Sequence, residues 1–208
     1  MALSAPQAFA TDLNIPPVLQ QTPEWCWAAS GQMVLEYYGF PNLNPSGDYQ
    51  CGVVGAQGGQ CFWHCAACLN GGGTSANMAM IYISYARMAR DRTGYVNGNF
   101  RPSLHGILSP SEIMETIDNG SPIVAGITPQ GIPYPPGLGI SQHAVVISGY
   151  EGDENDLQLI INDPFPYYPV MPVPYLQLGG QAIENGKYEI AYRQFVYYLR
   201  YGNSITFD

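Results

Sequence analysis

The pattern of apolar and polar positions divides the chain into a helical first half and a strand-rich second half. Between Trp25 and Tyr38, Ala29, Met33 and Tyr37 recur at near-helical spacing and Gly39 can close the end, which predicts a helix. A second helix is expected from Ser75 to Arg92, with Met78, Ile81, Tyr82 and Tyr85 on one face and arginines in its last turns. Ser109-Pro110-Ser111-Glu112 has the form of a capping box with proline at the first helical position, and it opens a short third helix that stops at Asn119-Gly120. Beyond it the period changes. Pro122–Ile127, Ala144–Gly149 and Leu157–Asn162 are short apolar runs bounded by turn residues, and Tyr188–Tyr192 and Phe195–Leu199 add two further candidate strands.

Helices followed by antiparallel strands make an α+β chain rather than an alternating α/β one. A single domain over residues 1–208 is expected: 1–15 an extended N-terminal segment, 16–120 a mainly helical lobe, and 121–208 a mainly β lobe. Asn42–Gly73 is turn-rich and reads as a loop with little regular structure, while Pro129–Pro136 and Pro164–Pro174 read as ordered loops beside the sheet.

Composition narrows the class. Hydrophobic residues make up 46% and charged residues 11% of the chain, which excludes disorder as its main description. Lys+Arg 7 against Asp+Glu 16 gives a net charge of -9, which repels phosphate backbones and anionic lipid; nucleic acid and membranes are poor partners for such a surface. No apolar run reaches the roughly eighteen residues that a spanning helix needs.

Five cysteines fall into one isolated residue, Cys26, and a cluster of Cys51, Cys61, Cys65 and Cys68. Four thiols plus one left over suit a secreted protein with two disulfides and one reactive cysteine. Zinc held by the cluster with His64 is the competing reading, but the crowding of Cys61, Cys65 and Cys68 argues for disulfides, in any of three connectivities. Ala8-Phe9-Ala10 has the small-x-small form of a signal cleavage site, without an apolar region before it.

The candidate chemistry begins in Gln20-Gln21-Thr22-Pro23-Glu24-Trp25-Cys26-Trp27-Ala28-Ala29. A cysteine at a helix start meets the partial positive charge of unpaired N–H groups, which favours the nucleophilic thiolate. Gln20, six residues earlier, can return a side-chain amide and form an oxyanion hole with the Cys26 N–H; in hydrolases one such donor is worth about 2.7–4 kcal/mol. The nucleophile needs a base and the base an orienting group. His143 opens the predicted strand Ala144–Gly149, and Asp163 ends the next one, so antiparallel neighbours would bring them together. His64 and His105 have no comparable surroundings. Asn162 competes with Asp163, because strand alternation sends the two to opposite faces, and Gln21 competes less strongly with Gln20. Without partners, Cys26 would read as a buried core thiol between two packing tryptophans, and Asp163 as a plain Asp-Pro turn.

These three stretches, Gln20 to Ala29, His143-Ala-Val-Val and Asn162-Asp163-Pro164, resemble the papain-like superfamily of cysteine peptidases. They are most similar to its compact bacterial branch, which includes double-glycine leader peptidases and secreted effector proteases. The resemblance implies a two-lobed fold with the helix of Cys26 in one lobe and the sheet of His143 in the other. It implies Cys26 as nucleophile, His143 as base and then acid, Asp163 as orienting residue and Gln20 as oxyanion donor, acting on protein or peptide substrates with no metal or organic cofactor. A secreted, monomeric endopeptidase is the expectation. The alternatives are a deamidating or transglutaminase-like toxin using the same thiol, or a catalytically silent binding module. Trp25, Trp27 and Trp63 are candidate cleft walls, and Tyr134 and Tyr167–Tyr168 candidate specificity elements.

Overall fold

The computed structural model describes residues 9–69, 72–128, 142–167 and 171–207. The expected helices form close to their predicted bounds. The first, α1 (Cys26–Tyr37), is followed by α2 (Tyr49–Gly55), α3 (Ser75–Thr93) and α4 (Pro110–Asp118). The capping box closes as read: Glu112 Oε2 accepts from Ser109 N at 2.7 Å, and Ser109 Oγ from Glu112 N at 3.4 Å. In α3, Thr74 Oγ1 caps the start and Gly94 takes the left-handed conformation at the end.

Among the described residues, eight strands make one antiparallel sheet: β1 (Phe9–Asp12), β2 (Pro102–His105), β3 (Ile123–Ile127), β4 (His143–Gly152), β5 (Gln158–Asn162), β6 (Gln181–Glu184), β7 (Lys187–Ala191) and β8 (Tyr201–Phe207). Their order is β2-β8-β3-β4-β5-β7-β6, with β1 pairing the far half of β4. The sheet divides the hydrophobic interior into two cores. Val124, Ala144 and Val146 face the core built with α1, α2 and α3, whereas Ile123, Ala125, Val145 and Ile147 face the core that holds Ile113, Ile117, Tyr175 and Phe195. That alternation is the period of two expected for strands buried on both faces. An all-antiparallel sheet carrying a helical lobe on one side is the α+β, papain-like layout that the motifs imply.

Two expectations need correction. Phe195–Leu199 is not a strand: α6 (Tyr192–Tyr197) takes its first three residues and a turn the rest, and Tyr197 and Tyr198, exposed side by side, break the alternation a strand would need. Asn42–Gly73 is more regular than read, since it contains α2, capped by Asp48 accepting from Cys51 N, and two short 3-10 turns. Phe9–Ala10, within the small-x-small stretch, lies in β1 and pairs with Gly152 and Glu151. A short α5 (Pro174–Gln177) lies within the Pro-rich segment after β5.

Helix α1 packs closely because its inner face is small. Ala28, Ala29, Ser30 and Gly31 are buried, and a Cβ on Gly31 would stand 2.5 Å from a ring carbon of Tyr82 on α3. Ser30 Oγ donates to Ala144 O at 3.1 Å. One helical turn beyond Cys26 is thereby fastened to the residue next to His143.

Candidate active site

Cys26 is the first residue of α1, and no carbonyl among the described residues accepts from its N–H. It is the free thiol of the chain, half-buried, and it lines one pocket with His143, Ala144, Gln142, Gly126, Asn203, Thr74 and Met78. His143 and Asp163 are joined behind it: His143 Nε2 stands 2.7 Å from Asp163 Oδ1, and both side chains are fully buried. Cys26, His143 and Asp163 are therefore brought together in the order in which the motifs present them.

Burial acts to lower the pKa of His143, but the charge of Asp163, its hydrogen bond, and hydrogen bonding and charge at Cys26 outweigh it and push the imidazole up to about 10. For Asp163 burial acts upward, yet the charge and hydrogen bond of His143, the Phe165 N–H and the Tyr167 hydroxyl hold the carboxyl below its usual range. Both shifts favour the charged forms, imidazolium against carboxylate.

Strand alternation decides between the two candidates at the end of β5. Asn162 donates from Nδ2 to Ile15 O at 2.8 Å and faces Ser148, on the face away from His143. Asp163 meets the imidazole. Beside His143, its carboxylate accepts from Phe165 N on Oδ1 and from the Tyr167 and Tyr175 hydroxyls on Oδ2, each at 2.8 Å. Neither tyrosine could be linked to Asp163 from the sequence, since no local periodicity ties a carboxylate to phenols four and twelve residues away.

Gln20 is buried just before α1. Its Nε2 donates to Thr22 O at 2.9 Å and Pro23 O at 2.8 Å, so both amide protons brace the turn that leads to Cys26. Its backbone is gripped on both sides by the side chain of Gln50, which donates to Leu19 O at 2.8 Å and accepts from Gln21 N at 3.0 Å. The Gln20 N–H bonds Pro164 O at 2.7 Å, tying it to the turn that carries Asp163. Gln50 had no signal in the sequence, being one polar residue in a stretch read as loop.

The cluster resolves into the disulfides Cys51–Cys65 and Cys61–Cys68, so its thiols are not thiolate ligands for zinc, and His64 is exposed beside them. The stapled loop supports the residues on either side of Cys26. Trp25 and Trp27 donate their indole N–H groups to Cys68 O and Leu69 O, both at 3.3 Å, and the Gly72 backbone packs against the Trp27 side chain. Both tryptophans are buried supports. Trp63 is 76% exposed and lines a different groove, with Phe62, Met88 and Arg92. Tyr167 is buried against Asp163, not in a substrate wall, and Tyr134 and Tyr168 lie outside the described residues. His105 bonds Thr206 at the sheet edge.

The family profile described as Peptidase_C39 like family matches residues 12–195. No curated protein matches the sequence. Among solved structures, the crystal structure of a Bacillus anthracis protein provisionally described as a C39-like peptidase superposes with a TM-score of 0.53 at 12% identity, covering 95% of this chain and 97% of that one. The likeness extends over the whole fold.

Proposed function

We propose that this chain, which belongs to the Peptidase_C39 like family and so to the papain-like cysteine peptidases, is an endopeptidase working through a Cys26 thioester. One observation carries the reading: a free thiol at a helix start shares a pocket with an imidazole whose other side is fixed by a buried carboxylate. With Nε2 of His143 committed to Asp163, Nδ1 is the nitrogen left for the thiol.

Reaction requires the proton on His143, so that the Cys26 sulfur is free to act as the nucleophile. The sulfur attacks the carbonyl carbon of the scissile peptide, and its oxygen becomes an anion. The Cys26 N–H supplies one donor to it, and Gln20 supplies the second by exchanging one of its two carbonyl partners for the anion. His143 passes its proton to the leaving amine, which departs and leaves the thioester. The neutral imidazole then takes a proton from water, hydroxide attacks the thioester, and the acid product leaves as the thiolate returns. Asp163 keeps the ring oriented and balances its charge throughout.

No described helix is long and apolar enough to cross a membrane. Two disulfides suit an oxidising compartment, so we place the activity outside the cytoplasm. The test is cleavage of a denatured protein substrate by wild type and Cys26→Ala, with new amino termini mapped by mass spectrometry. Cuts made by wild type and abolished in the variant support the reading. Ammonia release without new termini would replace it with deamidation, and no reaction together with a slowly alkylated thiol would leave a binding module.

A further inference from the structure

We propose that Tyr167 and Tyr175 are positioning residues, which act through Asp163 to hold the His143 ring oriented and charged beside Cys26. The inference rests on the peptidase reading for its consequence in turnover, but its geometry stands alone.

The two oxygens of Asp163 are used differently. Oδ1 accepts from His143 Nε2 and from Phe165 N, and Oδ2 accepts from two phenols at 2.8 Å each. A carboxylate whose second oxygen holds two donors cannot rotate about its last bond without breaking both. The plane that His143 meets is therefore set by the tyrosines. They also replace the water that a wholly buried anion has lost, and hydrogen bonds to a charged group are the stronger kind.

The phenols are themselves held. Tyr175, on α5, stacks on Tyr188 of β7 with ring centroids 4.8 Å apart and planes 8° apart, and Tyr167 meets the edge of the same ring at 6.2 Å. Tyr167 also packs on Phe165, whose ring stands edge-on to the His143 imidazole. Both tyrosines are buried, so neither can reach a substrate, and a hydroxyl is the only group by which they differ from phenylalanine in polarity. An all-apolar core would be served as well by phenylalanine. The two hydroxyls face the one oxygen that the imidazole does not use.

Loss of either donor makes Asp163 easier to protonate. Once neutral, it no longer balances the imidazolium, and His143 gives up its proton more readily.

The experiment compares wild type with Tyr167→Phe, Tyr175→Phe and the double variant. Iodoacetamide alkylation of Cys26 is followed against pH, and kcat and KM are measured per thiol titrated by an irreversible thiol-directed inhibitor. The expected result is that the acid limb of alkylation moves toward neutral pH in each single variant and further in the double one. The kcat per titrated site should fall about tenfold per lost hydroxyl with KM unchanged. A lowered Tm with an unmoved alkylation profile and unchanged kcat per titrated site would overturn the proposal, leaving the tyrosines as packing only. Should wild type cleave no peptide, the peptidase reading fails by itself, because the alkylation profile still reads the network without any substrate. The single variants keep one phenol on Oδ2 and the full packing volume, so the test survives a double variant that does not fold.

Discussion

Asp163 Oδ1 lies 2.7 Å from His143 Nε2 in a place wholly closed to solvent. Because each group favours the charged form of the other, the pair links folding to pH from both directions. His143 is raised from 6.5 to about 10, so its contribution is complete below pH 6.5 and disappears as pH climbs through 10. Asp163 is lowered from 3.8, so its contribution is complete above that value and disappears as pH falls through the folded-state value. Stability from the pair is thus greatest between about pH 4 and 6.5. Thermal unfolding of wild type and Asp163→Asn should give Tm curves that differ most in that window, with the gap narrowing as pH climbs through 10.

Asp163→Asn should also reduce kcat, because a neutral amide cannot balance the imidazolium; a fall of about a hundredfold or more is expected, read per titrated thiol. Asn162→Ala should behave differently. Its partners are Ile15 O and Ser148, so its loss should lower Tm by the equivalent of about 1–3 kcal/mol while kcat per titrated site stays within about twofold. Equal effects from the two variants would contradict the division of roles between the neighbours.

Gln20→Ala removes both the proposed oxyanion donor and the brace on Thr22 and Pro23. The donor role predicts a fall in kcat of about a hundredfold with KM little changed. A drop confined to Tm would reduce Gln20 to a brace. Gln50→Ala, which frees Leu19 O and Gln21 N, should give a weaker version of the Gln20→Ala phenotype.

Strong reductant should inactivate this cysteine enzyme. Loops closed over sequence separations of 14 and 7 each contribute about 2–3 kcal/mol in the chain-entropy account, and the Cys68 and Leu69 carbonyls hold the indoles on either side of Cys26. Activity against dithiothreitol concentration should rise while Cys26 is kept reduced, then fall as the loop disulfides open. Replacing Cys61 and Cys68 by serine should remove part of the activity without added reductant.

Gly72→Ala should lower stability by about 1–3 kcal/mol and activity with it, because the new methyl would meet the Trp27 side chain at the edge of the Cys26 pocket. Far-ultraviolet circular dichroism melts and turnover per titrated thiol measure the two effects separately.

What could be read in advance follows how local each signal is. The helix at Cys26, the capping box at Ser109, and the strands that deliver His143 and Asp163 are written in short periodic stretches, and they formed nearly as bounded. Strand β8 escaped notice because Gly202, Asn203 and Ser204 read as turn residues; its place between β2 and β3 is a long-range property. Likewise β2 offers a single apolar residue, Leu104, and gains its identity from pairing with β8. In the candidate site, Cys26, His143 and Asp163 sat in recognisable stretches, whereas Tyr167, Tyr175 and Gln50 make their contacts through distances that only the folded chain defines. Asn162 against Asp163 was a question of which face, and the register of β5 answered it.

The stapled loop has a bearing on how the chain is made. An oxidising environment that joins Cys51 to Cys65 and Cys61 to Cys68 also exposes a fifth sulfur to capture, until α1 docks against the sheet and half-covers it. Nascent molecules must therefore reach helix docking before bridge shuffling strands the nucleophile in a wrong partnership. Refolding yield should improve when that sulfur is removed, even though such a chain can do nothing afterwards.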